Sequence, residues 1–187
     1  MGKSTAAELL AKRGAKVSDS DALARELVEP GQAALAEITT EFGPGVLRDD
    51  GSLDREKVAE LVFADTVARK KLEGILHPRI SEAWQARLEG WAAAGEPLGV
   101  VVIPLLFETG AEASFDKIVC VACTPEAQQA RLRERGWSGE QIVQRIGAQM
   151  AVSEKMRRSD HVVWTDGPVE AHAAQWDALL SSWGFEA

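Results

Sequence analysis

The run Val100-Val101-Val102-Ile103, halted by Pro104, limits most severely what this chain can fold into. Four consecutive β-branched residues offer no alternating polar position, so the stretch suits a strand covered on both faces, as in a parallel sheet. Residues 98–108 therefore contain the strongest predicted strand, with Glu108 beyond its carboxyl end. Lys117-Ile118-Val119-Cys120-Val121-Ala122 predicts a second buried strand, and Thr124-Pro125-Glu126 a helix start behind it. Residues 16–21 and His161-Val162-Val163-Trp164 predict two shorter strands. Strands that alternate with helices imply a doubly wound α/β sheet with helices on both faces.

Residues 28–97 show helical periodicity and no convincing strand. Leu35, Ile38 and Phe42 recur at helical spacing, as do Val58, Leu61 and Val62. Leu72, Ile75 and Leu76 lead into His77-Pro78, and Ile80, Trp84, Leu88 and Trp91 form a further apolar stripe that is most simply core. Trp176, Leu179, Leu180 and Trp183 mark a C-terminal helix. The reading is one domain with a core of residues 1–27, 98–123 and 160–187, a helical subdomain at 28–97 and a lid at 124–159.

The candidate chemistry begins at Gly2-Lys3-Ser4-Thr5, the closing half of a phosphate-binding loop of form G-x-x-x-x-G-K-[ST]. A helix opening at Thr5 would set phosphates at a helix N-terminus, where backbone N–H groups and the helix dipole favour anions. Lys3 would reach the terminal phosphates and Ser4 would ligate Mg²⁺. Asp21 stands where a strand gives way to a helix, the place where α/β folds gather ligands. In extended geometry Asp19 and Asp21 would share one face. Asp21 suits a proton acceptor, a holder of the metal's water shell, or a helix N-cap.

The formal net charge of −8 argues against general nucleic-acid binding, but the charge is unevenly placed. Residues 131–158 carry Arg131, Arg133, Arg135, Arg145, Lys155, Arg157 and Arg158 against Glu134, Glu140 and Glu154. Such a cluster suits a small polyanion, or else a solvated helix face. Arginines of 131–145 could close over a transferring phosphoryl group and exclude water. No apolar run reaches the roughly 18–20 residues a membrane span needs, and the expected compartment is the cytoplasm. Cys120 and Cys123 make neither a disulfide framework nor a metal site, and read as structural.

The order Gly2-Lys3-Ser4-Thr5, Asp19-Ser20-Asp21, Ala24-Arg25, Val28-Glu29-Pro30-Gly31, Leu76-His77-Pro78, Pro104-Leu105-Leu106-Phe107-Glu108 and Arg145-Ile146-x-x-Gln149 resembles the dephospho-CoA kinase family over nearly the whole chain. The resemblance implies a P-loop core, a helical substrate subdomain and a lid. It also implies transfer of the ATP γ-phosphoryl, with Mg²⁺, to the ribose 3′-hydroxyl of dephospho-CoA. By that resemblance Met1, Gly2, Lys3, Ser4, Thr5 and Arg145 bind ATP, and Asp21, Lys3 and Arg145 act in catalysis. Arg25, His77 and Glu108 match positions near the substrate cleft, although His77 also suits a structural residue at a helix end. A monomer or small homo-oligomer is expected. Another small P-loop kinase, or a fold without ATP binding and turnover, are the competing readings.

Two departures stand out. Trp164-Thr165-Asp166-Gly167 occupies the place of an Asp-Asn pair and Gly near the adenine in many members. The family also begins with an apolar strand and a Gly-rich run, and this sequence opens inside that run. Loss of a central strand would leave backbone groups unpaired at about 1–3 kcal/mol each, against about 5–15 kcal/mol for a whole domain. The expectation is that Met1 is internal to the loop and that the native chain begins about ten residues earlier.

Overall fold

The computed structural model describes residues 1–185, so residues 186 and 187 of the last predicted core segment lie outside it. In chain order the elements are α1 (Lys3–Lys12), β1 (Lys16–Asp19), α2 (Ser20–Glu26), α3 (Ala33–Phe42), α4 (Arg55–Ala64) and α5 (Thr66–Ala93). They continue with β2 (Gly99–Val102), β3 (Val119–Ala122), α6 (Pro125–Glu134), α7 (Gly139–Gly147), α8 (Val152–Arg158), β4 (His161–Trp164) and α9 (Val169–Ser182). The chain forms two compact units, one of Met1–Val17 with Glu96 onward, the other Ser18–Gly95.

In the first unit β3 and β4 pair in parallel, with Val119 opposite His161 and Ala122 opposite Trp164. The Asp160 carboxylate accepts the Ile118 N–H at one end of this ladder, and the Thr165 N–H donates to the Ala122 carbonyl at the other. β1 neighbours β2, where the Lys16 N–H donates to the Leu98 carbonyl at 2.9 Å. Ala6, Leu9 and Leu10 of α1 pack with Val163, Trp176 and Leu180 as the core of this unit. Arg13 ends α1 and fastens it to α9: Nε and Nη2 donate to the two Asp177 carboxylate oxygens at 2.5 and 2.9 Å.

β2 and β3 are shorter and more open than the sequence suggests. Each spans four residues; Gly99 is exposed, Ala122 is buried, and the other positions are half-buried rather than sealed. Val100, Val119 and Val121 pack from the α1–α9 side, and among the described residues each strand has a single strand neighbour.

The second unit is helical, and Val28, Ala34, Ile38, Val46, Val58 and Ile75 form its core. Gly51 takes a positive φ of 78° in the turn before Asp54, whose carboxylate caps α4 at the Lys57 N–H. The helix end that a structural His77 would mark is not there, because α5 runs 28 residues through Pro78. Proline there removes one helical donor, yet Arg79 ties this point down. Its Nη1 donates to the Ile75 carbonyl at 2.6 Å and its Nη2 to Glu37 of α3 at 2.5 Å. His77 is therefore half-buried inside a helix and not at a helix end.

Ile38 has no exposed surface in this core. Ile38→Ala removes buried methyl groups and leaves a cavity, so it is expected to cost about 2–5 kcal/mol. Denaturant titration should show a lowered midpoint at unchanged slope, and a loss of a few tenths would contradict this packing.

Candidate active site

The phosphate-loop half begins with Gly2, at φ 76° and ψ 11°. This left-handed conformation is open to glycine at little cost. A Cβ there would also stand 3.0 Å from Thr165 Cγ2, so the backbone is pressed onto that threonine. The first helical bond runs from the Ala6 N–H to the Gly2 carbonyl, and no side chain caps the helix. The N–H groups of Lys3, Ser4 and Thr5 thus precede the helical ladder, which is how helix termini meet anions. Ser4 is exposed in this first turn.

Beside this terminus lies a cavity of about 320 Å³. Gly2 and Thr5 line one part, Arg131, Glu134 and Arg135 of α6 another, and Thr165, Gly167, Val169 and His172 the rest. The Arg131 guanidinium is held by Thr165, with Nη1 donating to Oγ1 at 2.9 Å and Nη2 to the carbonyl. Thr165 is buried, and its hydroxyl donates to the Ala122 carbonyl at 3.2 Å. Asp166 accepts from both the N–H and the hydroxyl of Thr124, so the ends of β3 and β4 are joined twice.

Arg145 stands in the last turn of α7, exposed, with its guanidinium carbon 4.2 Å from the centre of the Trp137 ring. Glu108 is exposed, with one carboxylate oxygen already engaged. Its Oε1 accepts from Lys155 Nζ at 2.8 Å and from the Met150 N–H at 2.8 Å. Lys155 is buried and also donates to the Pro104 carbonyl at 2.7 Å. Arg158 stacks 4.4 Å over Phe107 and pairs with Glu112. The segment after β2 is therefore nailed to α8.

In the second unit Asp19 is the N-cap of α2, and its carboxylate accepts the Asp21 N–H at 2.8 Å. The shared face expected for Asp19 and Asp21 is absent, because Ser20 already starts the helix. The cap role falls to Asp19, which leaves Asp21 exposed in the first turn. Arg25 is exposed in the last turn of the same helix. Arg87 of α5 secures this helix by donating to Ser18 Oγ at 3.2 Å and to Glu26 at 2.7 Å.

Sequence reasoning missed His172 and the anchoring work of Lys155. The first had a visible signal, the His172–Trp176 spacing of one helical turn on α9. The second had none, since contact with Glu108 joins residues far apart in the chain. Cys120 is half-buried, and burial raises its thiol pKa, while Lys155 and Lys3 oppose that effect. Among the described residues no group of three His, Cys, Asp or Glu is placed to hold a metal.

A helix N-terminus fed by Gly-Lys-Ser-Thr, set beside parallel strand ends and an arginine-lined cavity, defines an α/β protein of the P-loop nucleotide-binding class. The family model described as dephospho-CoA kinase matches residues 1–170. A dephospho-CoA kinase of Anaeromyxobacter dehalogenans is 48% identical over 96% of this chain and 86% of its own length. A Thermus thermophilus protein, TT1252, has a solved structure with TM-score 0.79 at 35% identity, covering 97% of this chain and 91% of its own. A dephospho-CoA kinase from Campylobacter jejuni shares the fold, with TM-score 0.71 at 24% identity over 98% of this chain and 94% of its own. The chain belongs to the dephospho-CoA kinase family. That family uses ATP as phosphoryl donor and catalyses the last step of coenzyme A synthesis.

Burial alone would raise the Glu108 pKa, but Lys155 and the Met150 N–H outweigh it and hold the carboxyl below its ordinary value. A depressed folded-state pKa contributes stability above the unfolded value, about 4.3, and that contribution is lost as pH falls through the folded value. Glu108→Gln should therefore be less stable than the parent at about pH 7, with the difference shrinking below about pH 4. Urea unfolding at both pH values checks this, and a pH-independent gap would contradict it.

Proposed function

We propose that Lys3, Asp21 and Arg145 carry the chemistry of ATP-dependent phosphorylation of the dephospho-CoA 3′-hydroxyl in this chain. The observation that carries this reading is the uncapped start of α1, pressed on Thr165 at the edge of the cavity. It fits a nucleotide whose phosphates meet the helix terminus while its remainder enters the cavity. Met1, Gly2, Lys3, Ser4 and Thr5 form the phosphate-binding segment. Phosphoryl transfer consists mostly of positioning and charge stabilisation, so a few well-placed groups suffice.

Lys3 neutralises oxygens of the terminal phosphates. Asp21 accepts the proton of the attacking hydroxyl, and its exposed position in the first turn of α2 suits that task. Arg145 adds positive charge at the transferring group, and α6–α8 serve as the lid that limits water. Ser4 is the residue suited to hold Mg²⁺. The donor set fits a cation that arrives with the nucleotide, since Mg²⁺ typically takes one or two protein ligands besides phosphates and water. When bound, Mg²⁺ supplies charge neutralisation between the phosphates. Arg25 and His77, both in the helical unit, are assigned to dephospho-CoA. Glu108 acts as the anchor of the lid instead of as a substrate ligand.

The test is a product assay with ATP–Mg²⁺ that offers dephospho-CoA beside nucleoside monophosphates. Coenzyme A is the expected product, and phosphorylation of a nucleotide alone would overturn the reading. Asp21→Asn should lower kcat by about 10²–10⁴-fold with the KM for ATP within a few-fold. Unchanged turnover would remove Asp21 from the catalytic set. Lys3→Ala should weaken both nucleotide binding and transfer, which separates its role from that of Asp21.

A further inference from the structure

His172 is 3% exposed, yet it is one of the residues that line the cavity beside α1. Its ring is fixed from one side. The Trp176 indole N–H donates to His172 Nε2 at 3.0 Å, one helical turn further along α9. An indole nitrogen can only donate, so Nε2 must accept, and the proton of the neutral imidazole sits on Nδ1. Burial first, and the nearby Arg131 second, lower the pKa of this histidine and keep the ring neutral at pH 7. Among the described residues Nδ1 meets no acceptor, although the one sealed side-chain polar atom without a partner is Glu112 Oε2. Nδ1–H is therefore the unused donor of a cavity-lining residue, on a ring that cannot flip without losing its bond to Trp176.

We infer that His172 is a specificity-determining residue, whose Nδ1–H donates to a ring-nitrogen acceptor on the base of the bound nucleotide. This rests on the reading that the nucleotide occupies this cavity. The phosphates are matched by the start of α1 and by Lys3, and a neutral donor adds little for them beside those groups. Arg131, held on two nitrogens by Thr165, gives the cavity a fixed planar wall suited to a base. Val169 adds apolar surface on the α9 side. An aromatic base has neutral acceptor nitrogens on its edge, and a buried, tautomer-locked donor matches one of them. The other acceptor in reach of such a ligand is a ribose hydroxyl, and the test separates the two.

The experiment compares ATP, its 1-deaza, 3-deaza and 7-deaza analogues, and 2′-deoxy-ATP on the parent enzyme and on His172→Phe, with dephospho-CoA as acceptor. The parent should lose about 3- to 10-fold in kcat/KM with one of the three deaza analogues, mainly through KM. His172→Phe should lose a similar factor with ATP and become indifferent to that same replacement. An undiminished deaza penalty in His172→Phe, an equal response to all three analogues, or a response to 2′-deoxy-ATP alone would overturn the assignment.

A second measurement needs no variant. Ring ¹⁵N signals of the parent should show Nδ1 protonated, and ATP should shift them more than the sensitive deaza analogue does. Amide signals of Gly2, Thr165 and Gly167 serve as the control for cavity occupancy. If ATP moves those amides and leaves His172 unmoved, this inference fails while the site stands. If neither moves, the nucleotide reading itself fails.

Discussion

Thr165 takes the Arg131 guanidinium on its hydroxyl and carbonyl, gives its own proton to Ala122, and leaves no room for a side chain at Gly2. The start of α1, the arginine of α6 and the end of β3 all meet at this residue. The hydroxyl is buried, so its bonds cannot be replaced by water, and losing one would leave a desolvated group. The contact with Gly2 fixes the backbone that leads into α1. The contact with Arg131 fixes a wall of the cavity, and the bond to Ala122 ties both to the end of β3. One side chain thereby couples the phosphate terminus, the last strand and the arginine helix.

The second unit reaches its functional geometry by a different device. Asp19 spends its carboxylate on capping α2, and this sets Asp21 in the first turn with its own carboxylate exposed. Negative charge near a helix N-terminus is favoured by the dipole, so the first turn of α2 suits a carboxylate. Arg87 then holds the helix by Ser18 and Glu26. A residue argued to take a proton needs such support, because small displacements of a base are costly to rate.

The elements that come from local rules were legible in the sequence. Gly-Lys-Ser-Thr marked α1, which opens at Lys3 rather than the expected Thr5, His161-Val162-Val163-Trp164 gave β4 at its observed limits, and the apolar spacing around Ile38 gave a real core. The failures share a physical origin in tertiary contacts. A structural His77 would mark a helix end, but packing against α3 through Arg79 carries α5 through Pro78. Residues 16–21 read as extended, but one capping bond from Asp19 turns the chain helical at Ser20. Glu108 reads as a residue at a strand end, and its pairing with Lys155 joins residues too far apart in the chain to be foreseen. Trp164 closes a correctly predicted strand, yet it is 45% exposed on β4.

The arginine-bearing segment shows why rearrangement is cheapest between its two ends. At one end Arg131 is bound to Thr165, and at the other Lys155 is buried on Glu108 and Pro104. Between them the burial is slight: α6 has no buried residue, and α7 buries only Ile142, with Val143 71% exposed. Local opening free energy follows buried apolar contact, so this stretch lies at the low end of the unit's stability. Arg145 is stacked on Trp137, which follows α6. An exposed cation–π contact is worth about 0.5–1 kcal/mol, so the Trp137 stack alone adds little to the stability of this stretch, and the two anchors mark the limits of the weakly buried segment.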